Sequence, residues 1–220
     1  MENKAIEWIV LTKAPIPGLV KTRLIPALGE KNACDIYGQL LTRLENTLRE
    51  VSSIKKSHIA LWIAGDCEHE AFRSWADIAT TYKQPVQDDL TCNNLACNNL
   101  GGIDLGVRMA IAVKSALTRG RIPILIGVDV PDLDVPYLVN CLQQLETNDL
   151  VISPAEDGGY GLLGMKQFYH KLFENKAWGT DSVFAETQSD IQGLDISAKY
   201  LSQVWDVDEP EDVARWLTKK

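Results

Sequence analysis

Hydrophobic and polar positions along this chain follow two periods, and their alternation predicts a succession of strands and helices. Residues 5–12 form a continuous apolar run bounded by turn residues, which is typical of a buried strand. Residues 29–51 carry apolar side chains at helical spacing and predict a long amphipathic helix. The same patterns predict further strands at 58–64, 121–128, 149–153 and 160–165, and further helices at 68–78, 104–118, 136–146, from 182 onward, and 209–217.

The order of these elements indicates the fold class. Strands that alternate with helices favour an α/β fold with a mixed, mostly parallel sheet and helices on both faces. A length of 220 residues suits one sizeable unit, so we expect a single domain over residues 1–220. In such sheets ligands bind beyond the carboxyl ends of the strands, so the loops that follow strands are the first candidates for a site.

The loop after the first strand concentrates positive charge. It reads K-A-P-I-P-G-L-V-K-T-R-L over residues 13–24 and contains Lys13, Lys21 and Arg23, although the formal net charge of the chain is −8. A basic loop shaped by proline and glycine at this point is where open α/β proteins receive phosphates. The loop therefore predicts a phosphorylated ligand, above all a nucleotide, with a solvated surface turn as the alternative.

Two acidic segments follow later strands. G-V-D-V-P-D-L puts Asp129 at the carboxyl end of the most apolar strand, where a carboxylate suits a magnesium ion that also binds substrate phosphates. A turn aspartate that bonds its own backbone is the alternative. In D-V-D-E-P-E-D, Asp208 and Glu211 are spaced as a helix capping box, although Asp208 can also serve a metal. The capping box leaves Asp206 unexplained.

The segment P-A-E-D-G-G-Y-G-L-L-G, residues 154–164, combines acidic residues with glycines. Gly158 and Gly159 allow close approach of a ligand to the backbone. Glu156 or Asp157 could orient or deprotonate a hydroxyl group of an acceptor. A hairpin turn between two strands explains the same residues equally well.

The start of the helix at 104–118 is a second anion-friendly position, because Gly101 and Gly102 expose backbone N–H groups there. Asp104 can equally be the N-cap of this helix, and Arg108 can be solvated. Just before it lies a tandem repeat, C-N-N-L-A followed by C-N-N-L at 92–100, which fits neither helix nor strand and predicts a loop.

Composition excludes several classes of function. The acidic balance argues against a nucleic-acid surface, and no stretch approaches the roughly 20 apolar residues of a membrane span. We expect no signal peptide, because the first apolar run leads directly into the basic loop. Five cysteines without metal-ligand spacing indicate reduced thiols and a cytoplasmic protein. Oligomeric state is not readable from the sequence.

Taken together, these segments resemble a GT-A-like group of nucleotide-diphospho-sugar transferases, also described as selenodomain-associated transferases. The matching segments are those at 13–24, 104–109, 126–133, 154–164, 178–180 and 206–212, so the resemblance extends over nearly the whole chain. The chain is more distantly similar to phospholactate guanylyltransferase and to sugar-nucleotide cytidylyltransferases.

The resemblance implies a GT-A-type nucleotide-binding fold and assigns roles to the candidate residues. Lys21 and Arg23 fall where relatives contact nucleotide phosphates, and Asp129 and Asp208 fall where relatives hold magnesium. Lys13, Thr22 and Asp104 join the phosphate-binding candidates, Asp129 and Asp157 are the catalytic candidates, and Glu156, Gly158, Gly159 and Tyr160 are candidates for the acceptor side.

The expected activity is that of a transferase dependent on Mg²⁺ or Mn²⁺ that uses a nucleotide-activated donor, with a nucleotide-diphospho-sugar as the leading donor and a small molecule as acceptor. One alternative is a nucleotidyltransferase that joins a nucleoside triphosphate to a phosphorylated acceptor and releases pyrophosphate. Another is a non-catalytic nucleotide-binding protein, since a fold does not by itself imply an activity.

Overall fold

Seven strands form one mixed sheet in the computed structural model, which describes residues 4–85 and 104–218. The strands are β1 (Ile6–Lys13), β2 (Ser57–Ala64), β3 (Ala79–Lys83), β4 (Ile122–Ile126), β5 (Leu150–Pro154), β6 (Tyr160–Met165) and β7 (Ala198–Tyr200). The helices are α1 (Ile25–Ile54), α2 (Leu105–Thr118), α3 (Val135–Thr147), α4 (Val183–Gln192) and α5 (Pro210–Thr218).

The strand order β3-β2-β1-β4-β6-β5-β7 puts β1 at the centre of the parallel part. β1 pairs in parallel with β2 and β4, whereas β6 runs antiparallel to both of its neighbours. In register, Ile6 lies opposite Ser57 on one side and Ile122 on the other. The carboxyl ends of β1 and β4 are therefore adjacent, and the basic loop and Asp129 emerge at the same edge. The predicted α/β class is confirmed.

Successive residues of β1 point to opposite faces of the sheet and enter two separate cores. Trp8 and Val10 pack with the buried residues of α1, α3 and α5, whereas Ile9 packs with those of α2 and α4. A strand covered on both faces needs apolar side chains at nearly every position, which explains why 5–12 is a continuous apolar run rather than an alternating one. The predicted helices on both faces are confirmed.

The exception in β1 is Glu7, which is fully buried and pairs with two arginines. Its two carboxylate oxygens accept from Arg119 and from Arg121, the latter at 2.5 Å. Both arginines lie between α2 and β4, so this ion pair ties the start of β1 to that connection. A buried carboxylate is tolerated here because both of its oxygens have charged donors.

Three local predictions differ from the structure. Residues 68–78 form only a short 3₁₀ helix, Glu70–Trp75, and not an α-helix. Strands β3 and β7 were not predicted. They have only five and three residues, their side chains are exposed or half-buried, and their conformation comes from backbone pairing with the neighbouring strand. Helix α1 begins at Ile25, four residues before Gly29, where φ of 78° interrupts it.

Helix capping and the state of three cysteines are also defined in the described residues. Asp134 caps α3, accepting a hydrogen bond from the backbone N–H of Tyr137 at 2.9 Å. Cys34, Cys67 and Cys141 are free thiols. The repeat at 92–100, with its two cysteines, and the glycines at 101–102 lie outside the described residues. None of the helices in the described part of the chain combines the length and apolar character needed to cross a bilayer.

Candidate functional site

The basic loop is held by its own buried apolar residues, which turn Lys21 inward. Val20 and Leu24 are buried on either side of it. Lys21 adopts a left-handed backbone conformation, with φ of 47° and ψ of 46°, immediately before the 3₁₀ turn Thr22–Leu24. This conformation is uncommon for a residue with a side chain and is maintained only where the surrounding structure fixes it. The side chain of Lys21 is consequently only 5% exposed.

Lys21 and Arg23 meet two aspartates that are far away in sequence. The Lys21 ammonium donates to Asp129 Oδ2 at 2.7 Å and to Asp208 Oδ1 at 3.4 Å. The Arg23 guanidinium donates to the other oxygen of Asp208. A backbone hydrogen bond from Val207 N to the carbonyl of Asp129, at 2.9 Å, fixes the two acidic segments to each other. The structure thus brings together four of the predicted site residues.

Charge and burial shift the pKa values of this pair in the directions expected for an ion pair. Burial alone would lower the pKa of Lys21, but Asp129, Asp208 and Asp206 outweigh it and raise the pKa. Burial alone would raise the pKa of Asp129, but the Lys21 ammonium outweighs it and lowers the pKa. Both groups therefore stay charged at neutral pH, as a site for phosphates and cations requires.

Asp206 belongs to this cluster although its role was not predicted. Burial, followed by repulsion from Asp129 and Asp157, raises the pKa of Asp206 to about 7. The sequence did carry a signal for it, because helix capping accounts for the later acidic residues of D-V-D-E-P-E-D and not for the first one. Strongly perturbed carboxyl groups in a cleft are typical of functional sites.

The predicted capping box of α5 is wrong in its residues. Asp212, not Glu211, reaches back to the start of the helix, and its carboxylate accepts from the backbone N–H groups of Asp208 and Glu209 at 3.1 and 2.8 Å. Helix α5 starts at Pro210, so the N-cap is one residue later than predicted and Asp212 is the reciprocal third residue. The carboxylate of Asp208 is thereby left for Lys21 and Arg23.

The 154–164 segment is a hairpin between β5 and β6, as the turn alternative predicted. Asp157 shapes the turn by accepting from the backbone N–H of Gly159 at 2.8 Å. Gly158 has φ of +85°, and a Cβ atom there would lie 2.2 Å from the carbonyl oxygen of Asp181. In the direction of a Cβ atom at Gly158, the close backbone approach is therefore made by the chain itself at Asp181, just before α4.

The remaining predicted site residues differ in whether another residue of the chain binds their side chains. Glu156 pairs through both oxygens with Arg215 of α5, at 2.6 and 2.9 Å. Asp104 is the N-cap of α2 and accepts from Gly106 N at 2.8 Å, so the capping alternative is confirmed. Lys13 and Thr22 are exposed.

Arg108 is not simply solvated, as one interpretation expected. It is half-buried and donates to Gln84 Oε1 at 2.9 Å, and burial lowers its pKa. Gln84 in turn donates to the carbonyl groups of Thr12 and Trp62, at the ends of β1 and β2. Arg108 therefore helps to order the edge of the sheet beside the basic loop.

A divalent cation is compatible with the donor set, though not with protein ligands alone. Among the described residues, no group of three or more His, Cys, Asp or Glu side chains is arranged to hold a metal. Asp129 and Asp208, however, both bind the single ammonium of Lys21, so their oxygens already converge on one cationic atom. Magnesium usually takes one or two carboxylates and completes its shell with phosphate oxygens and water, which these residues allow.

Solved structures share this fold. The chain superimposes on a protein from Desulfovibrio desulfuricans G20, provisionally named a nucleotide-diphospho-sugar transferase, with a TM-score of 0.79, 26% identity and coverage of 98% of this chain and 88% of that one. The 4-diphosphocytidyl-2C-methyl-D-erythritol synthase of Anaerococcus prevotii DSM 20548 matches with a TM-score of 0.58, 13% identity and coverage of 98% and 99%. A CMP:2-keto-3-deoxy-manno-octonic acid synthetase bound to CTP matches with a TM-score of 0.52, 9% identity and coverage of 98% and 99%.

The chain therefore has the GT-A-type α/β fold of nucleotide-diphospho-sugar transferases and nucleotidyltransferases, with a cation–carboxylate cluster at the carboxyl edge of its sheet. It belongs to the family of uncharacterized proteins conserved in bacteria, DUF2064, whose profile matches residues 47–180. A search among curated proteins gave no match.

Proposed function

We propose that this protein is a transferase, dependent on a divalent metal, that moves a glycosyl group from a nucleotide-diphospho-sugar to a hydroxyl group of a small acceptor. The observation that carries the proposal is the burial of Lys21 between Asp129 and Asp208 at the carboxyl ends of the central strands. Ligands of open α/β sheets bind at this edge. The name given to the Desulfovibrio protein with the same fold supports the class of donor.

Each residue has a distinct task in this proposal. Arg23, whose side chain is 60% exposed, and Lys21 bind the diphosphate of the donor and offset its charge. Asp129 and Asp208 would hold Mg²⁺ or Mn²⁺, which supplies charge neutralisation at the phosphate oxygens when bound. Asp157, with one oxygen on Gly159 N, keeps its other oxygen for the acceptor hydroxyl.

The transfer itself requires no protein nucleophile. The acceptor oxygen bonds to the anomeric carbon as the bond from that carbon to the β-phosphate oxygen breaks. The electron pair of the broken bond leaves with the nucleoside diphosphate, and the acceptor proton passes to Asp157 and then to solvent. Positive charge placed before the reaction at the departing diphosphate is the main source of rate acceleration in such a site.

Nucleotidyl transfer is the second candidate, favoured by the fold that 98% of this chain shares with the 4-diphosphocytidyl-2C-methyl-D-erythritol synthase and with the synthetase bound to CTP. In that reaction a phosphate oxygen of the acceptor would bond to the α-phosphorus of a nucleoside triphosphate. The bond from this phosphorus to the bridging oxygen would break, and pyrophosphate would leave. The same basic loop and the same two aspartates would serve it.

Product analysis across a panel of sugar nucleotides and nucleoside triphosphates, with Mg²⁺ or Mn²⁺ and a mixture of hydroxyl and phosphate acceptors, tests both reactions. Nucleoside diphosphate released from a sugar nucleotide supports the proposal, and pyrophosphate released from a triphosphate supports the second candidate. Nucleotide binding without turnover, and unaffected by metal, would instead identify a non-catalytic binding protein.

Binding measurements on variants test the phosphate and metal roles. Arg23→Ala should weaken metal-dependent nucleotide binding about tenfold, as expected for loss of a charge-assisted contact of about 1.5 kcal/mol. Arg49→Ala is the matched control, since Arg49 is also a partly exposed, aspartate-paired arginine, on α1 beside Asp77. Asp129→Asn should abolish the metal dependence of binding while the protein stays folded. Equal nucleotide affinity of Arg23→Ala and wild type in titration calorimetry would refute the phosphate role.

A further inference from the structure

A small cavity lies beside Asp129, and Lys21 is not among the described residues that line it. It has a volume of about 220 Å³ and is enclosed by the β5–β6 hairpin, the start of α2 and the segment 178–180. Asp129 contacts both Lys21 and the cavity. Its Oδ2 accepts from Lys21, and its Oδ1 lies beside Gly127, which lines the cavity. A molecule in this cavity would therefore be next to a donor whose phosphates are held by Lys21.

The wall of the cavity is apolar and aromatic. Leu105, Met109, Tyr160 and Trp178 line it, and the two rings meet edge to face with their centroids 6.4 Å apart. The indole Nε1 of Trp178 is buried and has no hydrogen-bond partner among the described residues. Ligand sites typically combine such a wall with a few polar groups that fix orientation. The volume is that of about seven waters at roughly 30 Å³ each, which suits a single small ring.

The polar groups of the described residues that line the cavity are all neutral or negative. Asp129, Asp157 and Asp206 contribute three carboxyl groups and Thr180 one hydroxyl, and no Lys, Arg or His is among the described lining residues. Residues 86–103, which the structure does not describe, also contain no Lys, Arg or His in their sequence. Arg215, which contacts the hairpin from α5, is engaged by Glu156 and lies over the Trp205 ring.

We infer that this cavity binds the acceptor, and that the acceptor is a small neutral or positively charged polyhydroxy ring, such as a sugar or an amino sugar, and not a phosphate ester. Carboxylates accept hydrogen bonds from hydroxyl and ammonium groups but repel a phosphate dianion, which would have to lose its water without gaining a cation. The inference rests on the proposed function, because it assumes a donor on the Lys21 side.

This assignment also separates the two candidate reactions. Nucleotidyl transfer to a phosphorylated acceptor needs positive charge on the acceptor side, whereas glycosyl transfer to a hydroxyl needs only a hydrogen-bond acceptor such as Asp157. The distribution of charge, with cations on one side of Asp129 and carboxylates on the other, fits the glycosyl acceptor.

The test is a binding series on the wild-type protein by saturation-transfer difference NMR, with Mg²⁺ and a stabilising nucleoside diphosphate present. The probes are glucose, galactose and mannose, each as the free sugar, the 2-amino sugar and the 6-phosphate. We expect at least one free or amino sugar to bind, and its 6-phosphate to bind about tenfold more weakly or not at all, because like charges disfavour association. Tighter binding of the phosphates, or no binding by any of the three chemical classes, would overturn the inference.

A pair of variants tests whether the carboxylates cause the discrimination. Asp157→Asn keeps an oxygen for Gly159 N and should raise the affinity for the 6-phosphate several-fold relative to the free sugar. Asp66→Asn is the control, because Asp66 makes the same kind of turn, accepting from Glu68 N at 2.9 Å, and does not line the cavity. Equal sugar-to-phosphate ratios in Asp157→Asn and wild type would contradict the electrostatic cause.

Failure of this inference and failure of the proposed function give different results. Thermal-shift measurements with ADP, GDP, UDP, CDP and dTDP, with and without Mg²⁺, report on the donor side alone. If no nucleotide stabilises the protein, the proposed function fails. If a nucleotide stabilises it and the sugar 6-phosphates bind best, only the assignment of the acceptor is wrong.

Discussion

Replacement of Lys21 by methionine tests the central cluster most directly, because it removes the ammonium that joins Asp129 to Asp208. Methionine is an unbranched side chain only one atom shorter than lysine, and it meets the same left-handed backbone. At an effective dielectric constant of about 20, a unit charge pair at 2.7 Å interacts by about 6 kcal/mol, much of which offsets desolvation. Removing one partner of a buried pair costs about 3–5 kcal/mol.

The net loss should be smaller because water reaches the aspartates, whose side chains are 36% and 29% exposed. We therefore expect Lys21→Met to lower the free energy of unfolding by about 2 kcal/mol without metal, about 4–8 °C in melting temperature for a chain of this size. Mg²⁺ or Mn²⁺ should restore much of this loss, since a cation bound only by the folded state stabilises it. In wild type the same metal should raise the melting temperature less, because it has to compete with Lys21 for the two aspartates.

The assay is thermal unfolding of wild type, Lys21→Met and Lys176→Met across a metal titration. Lys176 is a close control: its side chain is 3% exposed and pairs with Asp190, whose exposure of 31% resembles that of Asp208, but it lies outside the site. Lys176→Met should lose stability that metal does not restore. Equal metal responses in the two variants, or an unchanged melting temperature of Lys21→Met without metal, would refute the reasoning.

Two further substitutions test features of the fold. Glu7→Gln should lower the free energy of unfolding, measured with denaturant, by about 3 kcal/mol, because Arg119 and Arg121 lose a buried carboxylate. Nucleotide binding should be unchanged, and a loss of stability below about 1 kcal/mol would contradict the prediction. Gly158→Ala should lower the free energy of unfolding by more than about 2 kcal/mol, because its Cβ would meet the Asp181 backbone. Gly179 also has a positive φ, +83°, but no atom lies within 4 Å of its Cβ position, so Gly179→Ala should lower the free energy of unfolding by only about 1 kcal/mol. Comparable melting temperatures for these two glycine variants would show that the hairpin moves to make room.

One contact between distant residues was anticipated from the order of elements alone. The sequence predicts buried parallel strands both for the apolar run of β1 and for the apolar run before Asp129. The carboxyl ends of parallel strands lie at the same edge of a sheet. That rule was enough to predict that Lys21 and Asp129 lie on the same rim. The contact of 2.7 Å between them confirms the geometry. Their roles in binding phosphate and metal stay predictions.

Other features depended on interactions that no local pattern encodes. The exact start of α5 decided which acidic residue of 206–212 bonds back to the first backbone N–H groups. That residue is Asp212 and not Glu211. The close packing at Gly158 is made by Asp181, more than twenty residues away in sequence, and a local glycine signal cannot tell a ligand from another part of the chain. The edge strands β3 and β7 form because neighbouring backbones pair with them.

The sequence by itself determined the α/β class, the long helix α1 and the position of the basic loop, because hydrophobic periodicity and turn chemistry act over a few residues. Only the tertiary structure decided that Lys21 is buried between two aspartates, that Asp206 joins them, and that the described residues lining the cavity beside Asp129 include no Lys, Arg or His. Burial and electrostatic interaction depend on distances between side chains. Those distances are set when strands and loops from the whole chain meet at one edge of the sheet.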